Sequence, residues 1–168
     1  MKTRTLAMIK PNALFLADTI LALIHDNNFT ILAQKTIQLT KEEAAYFYAE
    51  HKNKDFFDEM ITRMSSGPVL MLLLEKEDAV QDYRKLLGKT DPQKAEPGTI
   101  RNRFGTSKRN NVAHGSDSDE SAQREIAFVF PEYIGLEGCC IASVFFITCG
   151  LQNKKKTVCN IHTVSNFL

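Results

Sequence analysis

The chain has 168 residues, 43% of them hydrophobic and 24% charged, which is ordinary for one globular domain with a real core. Its formal net charge of +1 excludes the bulk positive field that nucleic-acid or acidic-membrane binding would use. All four cysteines lie at or beyond position 139, without zinc-module spacing, so the body of the chain is neither a disulfide scaffold nor a zinc module.

The opening apolar run is broken by Lys10 and Pro11, too short for a signal-peptide core, and a cytoplasmic protein is expected. "TRTLAMI" (3–9) reads as a buried strand ended by Lys10-Pro11-Asn12. A helix follows over 17–27, with Ile20, Leu21, Leu23 and Ile24 as its apolar side, and β-branched residues over 29–39 predict a second strand. Thr40 with Glu43 has the form of a capping box, so a helix should run through "KEEAAYFYAEH", with a second short helix over 56–64. After Gly67-Pro68, "VLMLLLE" is continuous and apolar, the signature of a central strand covered by helices on at least one face. "DAVQDYRKLLG" predicts a helix stopped by Gly88. Residues 88–111 form a long polar loop, a short strand leads to His114, and a helix is expected over about 118–129. The order predicts an α+β fold of the ferredoxin-like class, βαββαβ, with helices packed on an antiparallel four-stranded sheet.

Arg84, Arg101 and Arg103 surround the long loop, with Lys89, Lys108, Arg109 and the hydroxyls of Thr90 and Thr99. Arginine forks match phosphate oxygens, although a solvated surface is the simpler reading of such charges alone. Lys10 at a strand end can reach a ligand or face solvent, and Phe56 and Tyr48 can meet a flat base or fill the core. Free histidine has a pKa of about 6.5, so an imidazole such as that of His114 can offer a neutral, nucleophilic nitrogen near pH 7. It attacks phosphorus efficiently only if its other nitrogen is held, and Glu125 or Ser121 on the following helix can bend back to do so.

These segments together resemble the nucleoside diphosphate kinases over about residues 3–132. The family's signature Asn-x-x-His-Gly-Ser-Asp stands here as Asn111 to Asp117, and "TLAMIKP", "FFDEMITRMSSGPV", "GKTDPQKAEPGTIR" and "ESAQREI" match in order and spacing. The resemblance implies ping-pong transfer of the γ-phosphoryl group of a nucleoside triphosphate to a nucleoside diphosphate through a phosphohistidine. His114 would be the nucleophile, Glu125 would hold its other nitrogen, and Ser116 would support the site from behind. Lys10, Tyr48, Arg84, Thr90, Arg101 and Asn111 match positions that contact phosphates, ribose or the catalytic pocket, and Phe56 matches the residue that stacks on the base. Mg²⁺ would arrive on the nucleotide phosphates rather than in a protein cage. A homo-oligomer is implied, with a hexamer the leading expectation. The rival reading is a nucleotide-binding interaction module of the same fold with little or no turnover. A nucleic-acid binder has only the basic loop in its favour.

The chain departs from the family at Asn12-Ala13, where Asp-Gly is usual, and at Lys108, where an apolar or small residue is common. The kinase domain is assigned to 1–133. Residues 134–168 are a divergent tail whose apolar stretch "CCIASVFFITC" covers eleven positions, short of the ~20 a spanning helix needs. A buried strand, an interface segment or a weakly ordered tail is expected there instead of a membrane span.

Overall fold

A computed structural model describes residues 1–134. The expectations for the tail lie outside the described residues from position 135 onward. Four strands, β1 (Lys2–Ile9), β2 (Thr30–Ile37), β3 (Val69–Glu77) and β4 (Ala113–Gly115), form one sheet in the order β2-β3-β1-β4. Every pairing is antiparallel. This is the ferredoxin-like arrangement expected from the order of elements.

The sheet is covered on both faces, and strand alternation explains how. Leu6 and Met8 of β1 and Val69, Met71 and Leu73 of β3 join one apolar cluster. It is completed by Ala44 and Phe47 of α2 (Lys41–Phe47), Ile61 and Met64 of α3 (Phe57–Met64), and Ala122 and Ile126 of α6 (Asp119–Val129). Ala7, Ile9, Leu70, Leu72 and Leu74 join the other cluster. They meet Ile20 and Ile24 of α1 (Ala17–Asp26), Tyr83 and Leu87 of α4 (Ala79–Leu87) and Ile100 of α5 (Ile100–Phe104). The uninterrupted apolar run of β3 is therefore two interleaved faces, each with its own helices, and every residue from Val69 to Leu74 is buried.

Three local expectations change. The helix starting after Thr40 has the full capping box, but it stops at Phe47 and gives way to a 3-10 turn over Ala49–His51. The loop 88–111 is not featureless: it holds a 3-10 turn at Pro92–Lys94 and the five-residue α5. Thr99 caps α5, accepting from Asn102 N at 3.4 Å and donating to Glu96 O at 2.7 Å, so its hydroxyl serves the backbone rather than a phosphate. The Asn12-Ala13 pair lies in a 3-10 turn over Pro11–Leu16, where Ala13 is buried with an ordinary negative φ, so no glycine is required there.

Candidate active site

β4 is only three residues long, yet its register decides where His114 points. Met8 and His114 are directly opposed, so their side chains share a face, the one covered by α2, α3 and α6. The flanking Gly115 is directed at α4. A Cβ there would lie 2.6 Å from Tyr83 Cδ1, so only glycine lets the strand approach this closely.

His114 Nε2 meets Glu125 Oε1 at 3.0 Å, and the Glu125 side chain is only 6% exposed. Ser116 Oγ donates to the other carboxylate oxygen, Oε2, at 2.7 Å and accepts from Leu6 N at 3.2 Å. A carboxylate accepts, so Nε2 carries the proton and Nδ1 keeps its lone pair. The rings of Phe47 and Tyr48 stand edge-on to the imidazole, at 5.2 and 5.6 Å between centroids. Three neighbours thus fix tautomer and direction. Of the two partners open in the sequence, Glu125 takes the histidine. Ser121 instead serves the capping box of α6 and donates to Asp117 Oδ1 at 2.5 Å.

The approach to β4 is strained. Val112 is buried and β-branched, yet has φ of 71°, and Ala113 N donates across it to Asn111 O at 2.8 Å. That is a γ-turn of the rare positive-φ kind. It is held by Lys10 N donating to Val112 O at 3.0 Å and by Arg101, whose two terminal nitrogens donate to Gly88 O at 2.9 Å and Ala113 O at 3.1 Å.

Around His114 opens a cavity of about 550 Å³. Its walls include Lys10, Tyr48, Phe56, Arg84, Thr90, Arg101, Asn111, His114 and Glu125, so every residue to which the resemblance gives a role, except Ser116, lines it, whereas Lys89, Thr99 and Arg103 of the basic loop do not. Ser116 stands outside the lining and donates to Glu125. Lys10 Nζ donates to Asn111 Oδ1 at 2.5 Å, and Asn111 Nδ2 to Thr90 O at 3.4 Å. Burial first, then Arg101 and Arg63, pull the Lys10 ammonium down to about 8. Burial likewise lowers Arg101. Burial, aided by the Glu125 carboxylate, raises Tyr48, whose hydroxyl donates to Met8 Sδ at 3.9 Å. Phe56 is 45% exposed at the cavity edge, with the His51 ring tilted against it at 6.0 Å between centroids.

Cations crowd this cavity, while its acids are largely engaged. Glu125 holds His114 and Ser116, Glu59 pairs with Arg63 and Arg109, Glu50 pairs with Arg124, and Asp117 accepts from Ser121. Among the described residues no group of three or more His, Cys, Asp or Glu is placed to hold a metal ion. The arrangement offers a nucleophilic nitrogen backed by a carboxylate, and a cationic surround for an anionic group. Sequence reasoning missed Phe47, Glu59 and Arg63. Arg63 and Glu59 had a usable signal, since they fall seven and three positions after Phe56 and so share its face of the helix.

Residues 3–134 match the family model for nucleoside diphosphate kinase. A nucleoside diphosphate kinase of Histophilus somni is 48% identical over 131 residues, 77% of this chain and 93% of that protein. The corresponding protein of Pelobacter propionicus is 50% identical over 129 residues, 76% of this chain and 94% of its own length. Among solved structures, the Aquifex aeolicus nucleoside diphosphate kinase superposes with a TM-score of 0.75 at 42% identity, covering 77% of this chain and 96% of that one. A halophilic nucleoside diphosphate kinase from Halobacterium salinarum, in complex with CDP, gives 0.74 at 36% identity, covering 77% and 88%.

Proposed function

The chain belongs to the nucleoside diphosphate kinase family, and we propose that it transfers a phosphoryl group between nucleotides with His114 as the carrier. The observation that carries this assignment is the His114–Glu125–Ser116 relay at a cavity lined also by Lys10, Arg63, Arg84, Arg101, Lys108 and Arg109. In the first half-reaction Nδ1 attacks the γ-phosphorus of a nucleoside triphosphate. The N–P bond forms, the bond to the bridging oxygen breaks, and the nucleoside diphosphate leaves with that electron pair. The ring becomes cationic, with its proton still on Nε2, and the Glu125 carboxylate stabilises that charge where it develops. A second nucleoside diphosphate then takes the phosphoryl group by the reverse path.

Lys10, Arg84 and Arg101 supply the charge that phosphate oxygens need, and Asn111 and Thr90 supply polar contacts beside them. The Arg84 side chain makes no hydrogen bond or ion pair among the described residues, which leaves its guanidinium available to a ligand. Phe56 offers a face on which any base can stack, so tolerance of the nucleoside follows. The engaged carboxylates fit Mg²⁺ that arrives on the phosphates, where it would neutralise charge between them. The CDP held by the Halobacterium relative supports a nucleoside diphosphate as occupant. Self-assembly, hexameric by resemblance to the family, and a cytoplasmic location complete the proposal. Among the described residues no helix is long and apolar enough to cross a membrane.

The test is to incubate the protein with labelled ATP and Mg²⁺ and isolate the phosphorylated chain. The expected bond is labile to acid and stable to alkali, and maps to His114. A stable phosphoester on Ser116 or Ser118 would overturn the assignment.

A further inference from the structure

Phe56, Glu59, Met60 and Arg63 line one wall of the cavity. Their spacing of i, i+3, i+4 and i+7 is a single face running from the start of α3 to its last turn. The loop carrying Lys108, Arg109 and Asn111 contributes to the lining as well. Side chains join this loop to α3. Glu59 Oε1 accepts from Arg63 at 2.6 Å, and Glu59 Oε2 pairs with Arg109 Nε at 3.3 Å. The other terminal nitrogen of Arg63 donates to Asn110 Oδ1 at 2.6 Å. One carboxylate and one guanidinium therefore make two separate links from α3 to adjacent loop residues. The next residue, Asn111, holds Lys10.

We propose that Glu59, Arg63, Arg109 and Asn110 form a clasp that sets the width of the nucleotide cleft, with Glu59 and Arg109 as positioning residues for the nucleotide. The proposal rests on the reading of this cavity as the nucleotide site. The clasp fixes the helix that follows Phe56 against the loop that carries Asn111, so it holds the base platform and the phosphate ligands at one separation. Without Glu59, Arg63 and Arg109 face each other and the cations of Lys10, Arg84, Arg101 and Lys108 with no carboxylate between them. Their repulsion moves the loop away from α3.

The sign of one mutation separates this role from simple electrostatics. Removing an acid from a cationic cavity strengthens its attraction for a polyanionic nucleotide, so a pure field effect lowers KM in Glu59→Ala. Loss of a clasp raises it. The expected result is a KM for nucleoside triphosphate and diphosphate raised about two- to fivefold in Glu59→Ala, the range of partly exposed ion pairs, with kcat near that of the wild type. Arg109→Ala should behave alike. The double variant should be no worse than the worse single, because both remove one link. The difference from wild type should shrink in high salt. A KM that falls or stays unchanged in Glu59→Ala, including one unchanged while the melting temperature drops, overturns the clasp, as do single effects that multiply in the double variant. Phosphorylation of wild-type His114 by ATP is measured on the same samples. Its absence sinks the underlying site assignment, whereas its presence with an indifferent KM sinks only the clasp.

Discussion

In the proposed mechanism His114 acts through what is left free. Glu125 takes Nε2, and Phe47 and Tyr48 edge the ring, so Nδ1 is the nitrogen left to react. His114→Ala should abolish phosphotransfer while nucleotide affinity, measured by calorimetry, changes little, because the phosphate cations and Phe56 remain. Turnover in that variant would end the phosphohistidine mechanism. Lys10 makes a second prediction, from pH. Burial, Arg101 and Arg63 lower its pKa from 10.5 to about 8. As pH rises through about 8 the free enzyme loses this cation, so kcat/KM should fall, and Lys10→Met should lack that descending limb. Stability should move the other way. Between about 8 and 10.5 the unfolded chain binds more protons at this lysine than the folded one, so folding becomes more favourable as pH rises through that window. A pH–rate profile and denaturant melts across the same range check both signs. The lysine's place after a buried strand was legible in the sequence. Its partner Asn111, 101 positions away, was supplied by the signature and the fold, and the γ-turn at Val112 had no sequence signal, because valine is among the residues least suited to positive φ.

Short elements set the geometry that long ones support. β4 has three residues, and its close approach to α4 depends on Gly115. Gly115→Ala should place a methyl group against the buried ring of Tyr83, which itself packs edge-on to Phe29 at 5.9 Å. The expected cost is about 1–3 kcal/mol of stability, together with a loss of kcat, because the strand that shifts is the one carrying His114. Gly98→Ala is the control: it has a positive φ but no atom within 4 Å of the added methyl, so strain alone is felt and the site stays in place. Equal melting temperatures for Gly115→Ala and wild type would refute the packing argument. Elements with a cap and a periodic face were readable in advance, as α2 and α6 were. The end of α2 was not, because Tyr48 leaves the helix to meet His114, a tertiary contact that no local pattern announces. α5 escaped for the opposite reason. Its five residues bury one apolar side chain, Ile100, too few to produce a period, and its only signal was the capping Thr99.

The whole fold was legible because strand order and helix order left few topologies to choose from, and the crossover helices α1 and α4 fall on one face of the sheet. What the sequence did not reveal was that both faces are covered. A continuous apolar run looks alike whether its alternate residues meet one layer or two, and only the helix contacts separate the two clusters. This architecture confines the proposed chemistry to the described part of the chain. Every described residue lining the cavity lies between Lys10 and Glu125. The last described residues act as a clamp on the core: Phe130 is buried, Tyr133 donates its hydroxyl to Leu32 O at 3.1 Å, and Arg4 donates to Tyr133 O at 3.3 Å. A chain ended after Ile134 keeps this clamp and should retain wild-type specific activity, with changes confined to assembly or solubility. A chain ended after Val129 loses Phe130 and Tyr133 together and should be destabilised by about 3–5 kcal/mol, the usual cost of removing a large buried aromatic side chain. Sedimentation, melting and phosphotransfer on the three chain lengths test the division. If the chain ended after Ile134 melts like the full-length protein yet has lost its turnover, residues beyond 134 take part in the site, and the separation of chemistry from tail is wrong.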